Sequence, residues 1–144
     1  MTWPIIGICQ GFEVLHWLVN DDKYDTLTNV RIYRESRPYS WKVEPKRESI
    51  LFKDFPRTIL HKMGKEKLAL HAHDWTVAKN TYSTSQKLAS FFKILATDTH
   101  NGTEFVMAVE ALNYPIYGVM NHPETQNIRV FGTDKTALEG KIND

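Results

Sequence analysis

The chain has 144 residues, of which 42% are hydrophobic and 12% aromatic, enough for one domain with a core of its own. Its 18 basic and 17 acidic side chains give a formal charge of +1, which excludes the strongly basic surface typical of nucleic-acid-binding proteins. No apolar segment approaches the roughly 20 residues that a membrane-spanning helix needs. We therefore predict one domain over residues 1–144 that acts on a small molecule or peptide, without a nucleic-acid or membrane partner.

The first predicted elements are a buried strand over residues 5–9 and a helix over residues 12–19. The only cysteine, Cys9, lies where they meet, between Gly7 and Gly11. A sharp strand-to-helix turn presents a nucleophile above the sheet edge, and glycines on both sides leave room for the crowded backbone. This pattern predicts a nucleophile elbow. The alternative is a small apolar cysteine buried in a core strand.

The position of Cys9 before a helix also predicts its electrostatics. Peptide dipoles at a helix N-terminus favour negative charge, so we expect a lowered pKa for the Cys9 thiol. The backbone N–H of Gln10 is expected to face the position where an oxyanion would form.

The middle of the chain has weaker signals. Residues 20–56 are polar and interrupted by prolines, which predicts loops and short strands. Three short elements are predicted after them: a helix over residues 55–64 with Pro56 at its start and Gly64 at its end, an extended segment over residues 68–73, and a helix over residues 83–88.

A β-hairpin is predicted near the C-terminal third. Residues 91–97 and 104–111 alternate in polarity on either side of Asn101-Gly102, and Asn-Gly is the strongest short hairpin signal. A further apolar run over residues 114–120 follows and ends at the loop 121–124.

This loop contains His122, Pro123 and Glu124. Proline restricts the local backbone, so one loop can hold both the imidazole and the carboxylate. A cysteine nucleophile needs a base, and the base needs an acceptor that fixes its tautomer, so Cys9, His122 and Glu124 supply all three roles. The alternative for the tripeptide alone is a solvated surface turn.

Two segments carry a family resemblance. Gly-Ile-Cys-Gln-Gly-Phe-Glu at 7–13 and Tyr-Pro-Ile-Tyr-Gly-Val-Met-Asn-His-Pro-Glu at 114–124 resemble the class I glutamine amidotransferase-like superfamily and, within it, the gamma-glutamyl hydrolase family. Phe12-Glu13 favours the hydrolases, whereas Met120-Asn121 departs from their usual Gln followed by an aromatic residue. In the segment 70–75, His73 matches a histidine that borders the family's substrate cleft.

The resemblance implies an α/β fold, a flavodoxin-like three-layer sandwich, and a cysteine peptidase that cleaves gamma-linked glutamyl bonds of folate poly-gamma-glutamates through a thioester, with no metal or cofactor. Cys9 would attack, His122 would act as base and then acid, Glu124 would orient His122, and the Gln10 N–H would bind the oxyanion. His73 would lie on the substrate side. The alternative for His71 and His73 is a structural pair on one strand face, because residues two apart point the same way.

The resemblance also implies a domain truncated at its N-terminal side. The elbow strand is then expected at a sheet edge with exposed apolar surface, unless a second copy or a complementing N-terminal segment covers it. Two other functions stay open: an inactive, partner-binding fragment and a glutaminase module of an amidotransferase. The family implies a lysosomal, vacuolar or extracellular location, although no signal peptide is recognisable in the sequence.

Overall fold

The computed structural model describes residues 2–125, and a mixed five-stranded sheet lies at their centre. The strands are β1 (Ile5–Ile8), β2 (Thr28–Arg37), β3 (Ser40–Trp41), β4 (Ala69–Thr76), β5 (Phe92–His100), β6 (Thr103–Ala111) and β7 (Ile116–Val119). The helices are α1 (Gln10–Val19), α2 (Pro45–Glu48), α3 (Arg57–Lys65), α4 (Thr81–Thr84) and α5 (Gln86–Phe91), with a 3₁₀ turn at Tyr24–Thr26.

The described residues form three layers. The central sheet has the order β1-β7-β6-β5-β3, with β1 and β7 parallel and the other pairs antiparallel. One apolar cluster joins it to α1 and α5 through Phe12, Leu88 and Val109. A second cluster, which includes Ile32 and Met107, joins its other face to the two-stranded sheet β2–β4 and to α3. The α/β fold with a central sheet is thus confirmed.

The predicted hairpin is confirmed as β5–β6. Asn101 and Gly102 form its turn with φ angles of 48° and 78°, the left-handed pair that a two-residue hairpin turn requires. Residues 105–111 of β6 are all buried, since β5 and β7 cover both edges of this strand and apolar clusters cover both faces. The hairpin is therefore the centre of the core.

The prediction of loops and short strands over residues 20–56 was wrong for β2, which runs for ten residues. Val30 and Ile32 face the core, whereas Arg31 and Tyr33 face solvent. The strand pairs with β4 through two register shifts, at which the alternation of polar and apolar residues is interrupted. A half-exposed, bulged strand leaves only isolated apolar residues in the sequence, and such a pattern predicts loops and short strands.

Helices are present at both predicted positions, but their first and last residues differ from the prediction. In α3, Gly64 lies inside the helix, and a Cβ there would stand 3.1 Å from the Trp41 indole, so this glycine permits close packing and does not end the helix. The helix predicted over residues 83–88 is divided at Ser85, whose Oγ accepts from Leu88 N at 3.2 Å and caps α5.

The expected exposed edge is present at β1, which among residues 2–125 pairs only with β7. Ile5 and Ile6 remain 50% and 53% exposed, and Trp3 is also exposed. Helix α1 packs against the neighbouring strand, because Gly118 of β7 leaves the space that the Phe12 ring occupies: a Cβ there would lie 2.9 Å from Phe12 Cδ2.

Candidate active site

Cys9 forms a sharp turn between β1 and α1. Its N–H donates to Val119 O at 2.9 Å, continuing the pairing of β1 with β7, while its carbonyl accepts from Glu13 N at 3.1 Å and begins the helix. The residue has φ 50° and ψ −105°, a conformation that is costly for a side chain with a Cβ. The backbone therefore has the strained geometry of a nucleophile elbow.

The two glycines of the elbow have different roles. A Cβ at Gly7 would lie 2.6 Å from Gly11 O and 2.6 Å from Leu15 Cδ1, so only glycine allows α1 to approach β1 this closely. A Cβ at Gly11 would meet nothing within 4 Å. The expectation that Gly11 provides space was wrong; its carbonyl is one of the atoms for which Gly7 makes space.

The Cys9 thiol is half-buried and donates to the carbonyl of Ala72 at 3.8 Å. Burial raises its pKa most, and the nearby carboxylates of Glu13 and Glu124 raise it further, while the backbone N–H of Gln10 lowers it. The net direction is upward, so the expected lowering was wrong: burial and two acidic neighbours outweigh the helix N-terminus. The Gln10 N–H lies close enough to the sulfur to lower its pKa, and its role toward an oxyanion stays a prediction.

His122 and Glu124 form a close pair in the loop after β7. Nδ1 of His122 lies 2.7 Å from Oε1 of Glu124, and the His122 N–H donates to Leu70 O at 2.9 Å. Partial burial acts to raise the pKa of Glu124, but the bond to His122, a backbone N–H and the His122 charge together lower it. The carboxylate is thus ionised and directs the imidazole, so that Nε2 of His122 points away from it.

Strand β4 contacts both the Cys9 thiol and the backbone of His122. The carbonyls of Leu70 and Ala72, two residues apart, lie on the same strand edge roughly 7 Å from each other. The first accepts from the backbone of His122 and the second from the thiol of Cys9. In the described part of the chain the thiol does not hydrogen-bond to His122, but Cys9, His122 and Glu124 are brought together at the carboxyl ends of the parallel strands β1 and β7.

His71 and His73 lie side by side on β4. Nδ1 of His71 is 3.0 Å from Nε2 of His73, and both rings contact the edge of Phe105. Burial, followed by neighbouring positive groups, lowers the pKa of His71 to about 3, and burial lowers that of His73 to about 4. The two rings thus lie on one strand face, the arrangement of the structural alternative. A role of His73 at the substrate stays a prediction, with 8% of the residue exposed.

The comparisons with known proteins agree with this geometry. Residues 1–134 match the family model described as glutamine amidotransferase class-I. The chain belongs to this family.

Its relatives within the amidotransferase family include enzymes named gamma-glutamyl hydrolase. The protein of Mus musculus is 35% identical over 122 residues, which are 85% of this chain and 38% of the relative. That of Homo sapiens is 31% identical over 122 residues, 85% and 37% of the two chains, and gamma-glutamyl hydrolase B of Dictyostelium discoideum is 28% identical over 135 residues, 93% and 38%. The chain thus spans less than two-fifths of the length of these curated relatives.

Three groups of this site were not predicted from the sequence: the Glu13 carboxyl and the carbonyls of Leu70 and Ala72. Glu13 lies four residues after Cys9, a helical spacing that places side chains on one face and could have revealed its proximity to the thiol. Burial raises the pKa of the Glu13 carboxyl itself. The carbonyls of Leu70 and Ala72 had no sequence signal, because backbone acceptors are assigned only once the strand is placed.

Within 2–125, no three His, Cys, Asp or Glu side chains are grouped so that they could hold a metal ion. No helix in this range is long and apolar enough to cross a membrane.

Proposed function

We propose that this chain is a gamma-glutamyl hydrolase-like cysteine peptidase that cleaves gamma-linked glutamyl bonds, with folate poly-gamma-glutamates as its substrate class. The observation that carries the proposal is the strained Cys9 elbow beside the His122–Glu124 pair, at the carboxyl ends of two parallel strands. The names of the curated relatives, gamma-glutamyl hydrolase, support the choice of bond. On the same resemblance we propose a lysosomal, vacuolar or extracellular location.

The reaction begins with proton transfer from the Cys9 thiol to Nε2 of His122. The thiolate attacks the gamma-carbonyl carbon, and the developing oxyanion accepts from the Gln10 N–H. The amide C–N bond breaks as His122 returns the proton to the leaving amine, which leaves a thioester on Cys9. His122 then takes a proton from water and the hydroxide adds to the thioester carbonyl. The C–S bond breaks, His122 returns its proton to the Cys9 thiolate, and the product leaves as the gamma-carboxylate, with its acid proton lost to solvent.

The raised pKa of Cys9 determines the resting state of this cycle. The thiol is protonated and bound to the Ala72 carbonyl before substrate enters. It must leave that acceptor for His122, and Glu124 stabilises the imidazolium that results. Proton transfer to His122 must therefore precede the attack on the substrate.

Release of glutamate from a pteroyl poly-gamma-glutamate by the 144-residue chain tests the proposal. Cys9→Ala should abolish release, and His122→Gln should lower it by at least about a thousandfold, because each removes a group that reacts directly. Glu124→Gln, which leaves the imidazole in place, should retain more activity than His122→Gln. Absence of release by the wild-type chain, or equal release by Cys9→Ala, would refute the proposal.

A glutaminase reaction is the second candidate, favoured by the amidotransferase family match. It would use the same three side chains. Ammonia release from free glutamine, measured beside cleavage of the gamma-glutamyl peptide, separates the two reactions by their relative kcat/KM.

The exposed edge of β1 favours an association that covers it. Ile5 and Ile6 present apolar surface beside the free backbone groups of an edge strand. We propose that a second copy of the chain or a complementing segment covers this edge. Light scattering on the purified chain tests for the second copy, and Ile6→Lys is the variant that should weaken the association.

A further inference from the structure

A buried hydrogen bond joins Tyr39 to Asn121, the residue directly before His122. The Tyr39 hydroxyl donates to Oδ1 of Asn121, and the two residues are only 5% and 6% exposed. Their positions in the chain are 82 residues apart, and the proposed reaction uses neither side chain. The bond therefore connects the loop that carries the proposed base to a distant part of the fold.

Tyr39 itself is held firmly in the link between β2 and β3. Its backbone N–H donates to Met63 O at 2.7 Å, and its ring stacks on the indole of Trp41 with the ring centroids 5.0 Å apart. The edge of Phe52 packs against the same ring. Burial raises the pKa of the Tyr39 phenol more than the bond to Asn121 lowers it, so the hydroxyl stays protonated and can donate. Asn121 is thus bound to a fixed donor.

The space next to this bond is not filled. A cavity of about 300 Å³ is lined by Tyr39, Asn121 and Pro123 and otherwise by apolar side chains, among them Ile6 of β1 and Val119 of β7. A side chain beside a cavity lacks the packing contacts that would otherwise restrict it. On this side of the loop, the hydrogen bond from Tyr39 is therefore the directional contact that restrains Asn121.

The backbone of the loop is attached at two further points. The N–H of Met120 donates to Met107 O on β6 at 2.7 Å. The N–H of His122 donates to Leu70 O on β4 at 2.9 Å. Asn121 lies between these two residues, so three successive residues are anchored to three different parts of the fold.

The bond between His122 and Glu124 does not replace these anchors. Glu124 belongs to the same loop as His122 and moves with it, so their bond orients the ring within the loop. The position of the imidazole relative to Cys9 depends instead on contacts between the loop and the rest of the domain. The bond from Tyr39 to Asn121 is the side-chain contact of this kind that lies next to the base.

We propose that Tyr39 is a positioning residue for His122: its hydroxyl holds Asn121 and thereby fixes the loop that presents the imidazole to Cys9. The consequence for turnover rests on the proposed function, whereas the position of the loop does not. Tyr39 acts through Asn121 and not on the reacting atoms.

NMR spectra of the histidine rings in the full chain test the position of the loop. The His122 signals are assigned by their loss in His122→Gln. Tyr39→Phe removes only the hydroxyl and should shift or broaden these signals, because Oδ1 of Asn121 loses its donor beside the cavity. Tyr33→Phe removes the same atom from a ring that is 71% exposed and should leave them unchanged. A loss of stability alone does not move the signals of the folded protein.

Circular dichroism melts identify the variants that fold. Unchanged His122 signals in folded Tyr39→Phe overturn the proposal. If Tyr39→Phe does not fold, Asn121→Ala, which removes the acceptor at the edge of the cavity, is expected to change the same signals and decides in its place.

Kinetics with the gamma-glutamyl substrate tests the consequence for turnover. Tyr39→Phe should lower kcat roughly tenfold and change KM less than about twofold, because it displaces the base and not the substrate. In an Asn121→Ala background, Tyr39→Phe should change kcat less than about twofold, because its partner is already absent. Additive effects, or a raised KM with unchanged kcat, overturn the positioning role. A wild-type chain without turnover refutes the proposed function, and the His122 spectra still decide the position of the loop.

Discussion

The β5–β6 hairpin and the β1–α1 elbow are both parts of one core, but they are held in different ways. The hairpin joins its strands through two residues, and the second strand is buried throughout its interior. The elbow instead depends on a partner far along the chain: Ile5 pairs with Ile116, and the free side of β1 is exposed. The hairpin is a local, rigid platform, whereas the proposed catalytic turn depends on long-range contacts.

This difference predicts that substitutions in the two regions will have different effects. Substitutions around the hairpin should lower the stability of the whole domain, because its residues lie in both apolar clusters. Substitutions in the elbow should also displace Cys9 from β4, since the strained turn persists only while its surroundings hold it.

The largest effect is expected at Glu110 in the hairpin. This buried carboxylate accepts from Ser49 Oγ at 3.0 Å and from the N–H groups of Ile50 and Leu51 at 2.9 and 3.2 Å, and it pairs with Lys93 at 2.9 Å. Glu110→Ala leaves these donors and the ammonium without their acceptor, so we expect the free energy of unfolding to fall by roughly 3–5 kcal/mol.

Urea denaturation measures this loss, and Glu104→Ala on the same strand is the matched control. Glu104 pairs with Lys42 and Lys79, each at 3.1 Å, but is about one-third exposed, so its removal should cost less than about 1 kcal/mol. Equal losses for the two variants would show that burial of Glu110 does not matter.

Acid should weaken the elbow through His16 on α1. Its Nδ1 donates to Phe12 O at 2.9 Å, its Nε2 accepts from Tyr82 OH, and burial lowers its pKa from 6.5 to about 4. The folded state therefore binds fewer protons than the unfolded state. The contribution of neutral His16 to the free energy of unfolding is complete above pH 6.5 and is lost as the pH falls towards 4. The contribution of His16 is on the order of 3 kcal/mol.

Chemical denaturation at a series of pH values between 7 and 4 tests this dependence. His16→Gln, which keeps a polar side chain but does not titrate, should give a shallower decline than wild type over the same range. The buried His71 and His73 leave part of the decline in place in that variant. Parallel curves for the two proteins would contradict the assignment to His16.

Gly7 and Gly11 give the sharpest test within the elbow. Gly7→Ala places a Cβ 2.6 Å from the backbone carbonyl of Gly11, which cannot rotate away, so we expect the free energy of unfolding to fall by about 2 kcal/mol. The rate of glutamate release should fall as well, because the substitution displaces the elbow. Gly11→Ala adds the same atom where nothing lies within 4 Å, and in a helix it should be neutral or stabilising by up to about 1 kcal/mol. Thermal melts and assays of glutamate release on both variants measure these effects. Similar losses of stability and rate at the two sites would contradict the close approach seen at Gly7.

The sequence was most informative where one local signal sufficed. Asn101-Gly102 identified the hairpin turn, because few residues adopt its left-handed backbone conformations. Gly7 indicated the elbow, because only glycine allows strand and helix to approach so closely beside Cys9. Strand β2 was not predictable in this way, since its pairing with β4 spans some 40 residues and its bulges interrupt the alternation of side chains.

The candidate site shows the same difference between features with a local sequence signal and features set by packing. The motifs indicated Cys9, His122 and Glu124, and the structure brings them to one end of the sheet. The direction of the thiol pKa was missed, because it depends on burial and on Glu13 and Glu124, whose distances are set by packing.

The smallest effect is expected at the hairpin turn itself. Gly102 has φ 78°, so Gly102→Ala places a Cβ in a left-handed conformation and should cost about 1 kcal/mol, although no atom lies within 4 Å of that Cβ. Asn101→Asp keeps a side chain that tolerates φ 48° and should change the stability by a few tenths of a kcal/mol. Because the turn is remote in sequence from Cys9, Gly102→Ala should leave the rate of glutamate release from the folded protein unchanged. A reduced rate in that variant would show that the hairpin also sets the geometry of the elbow, and that the two regions are coupled more tightly than their different pairing suggests.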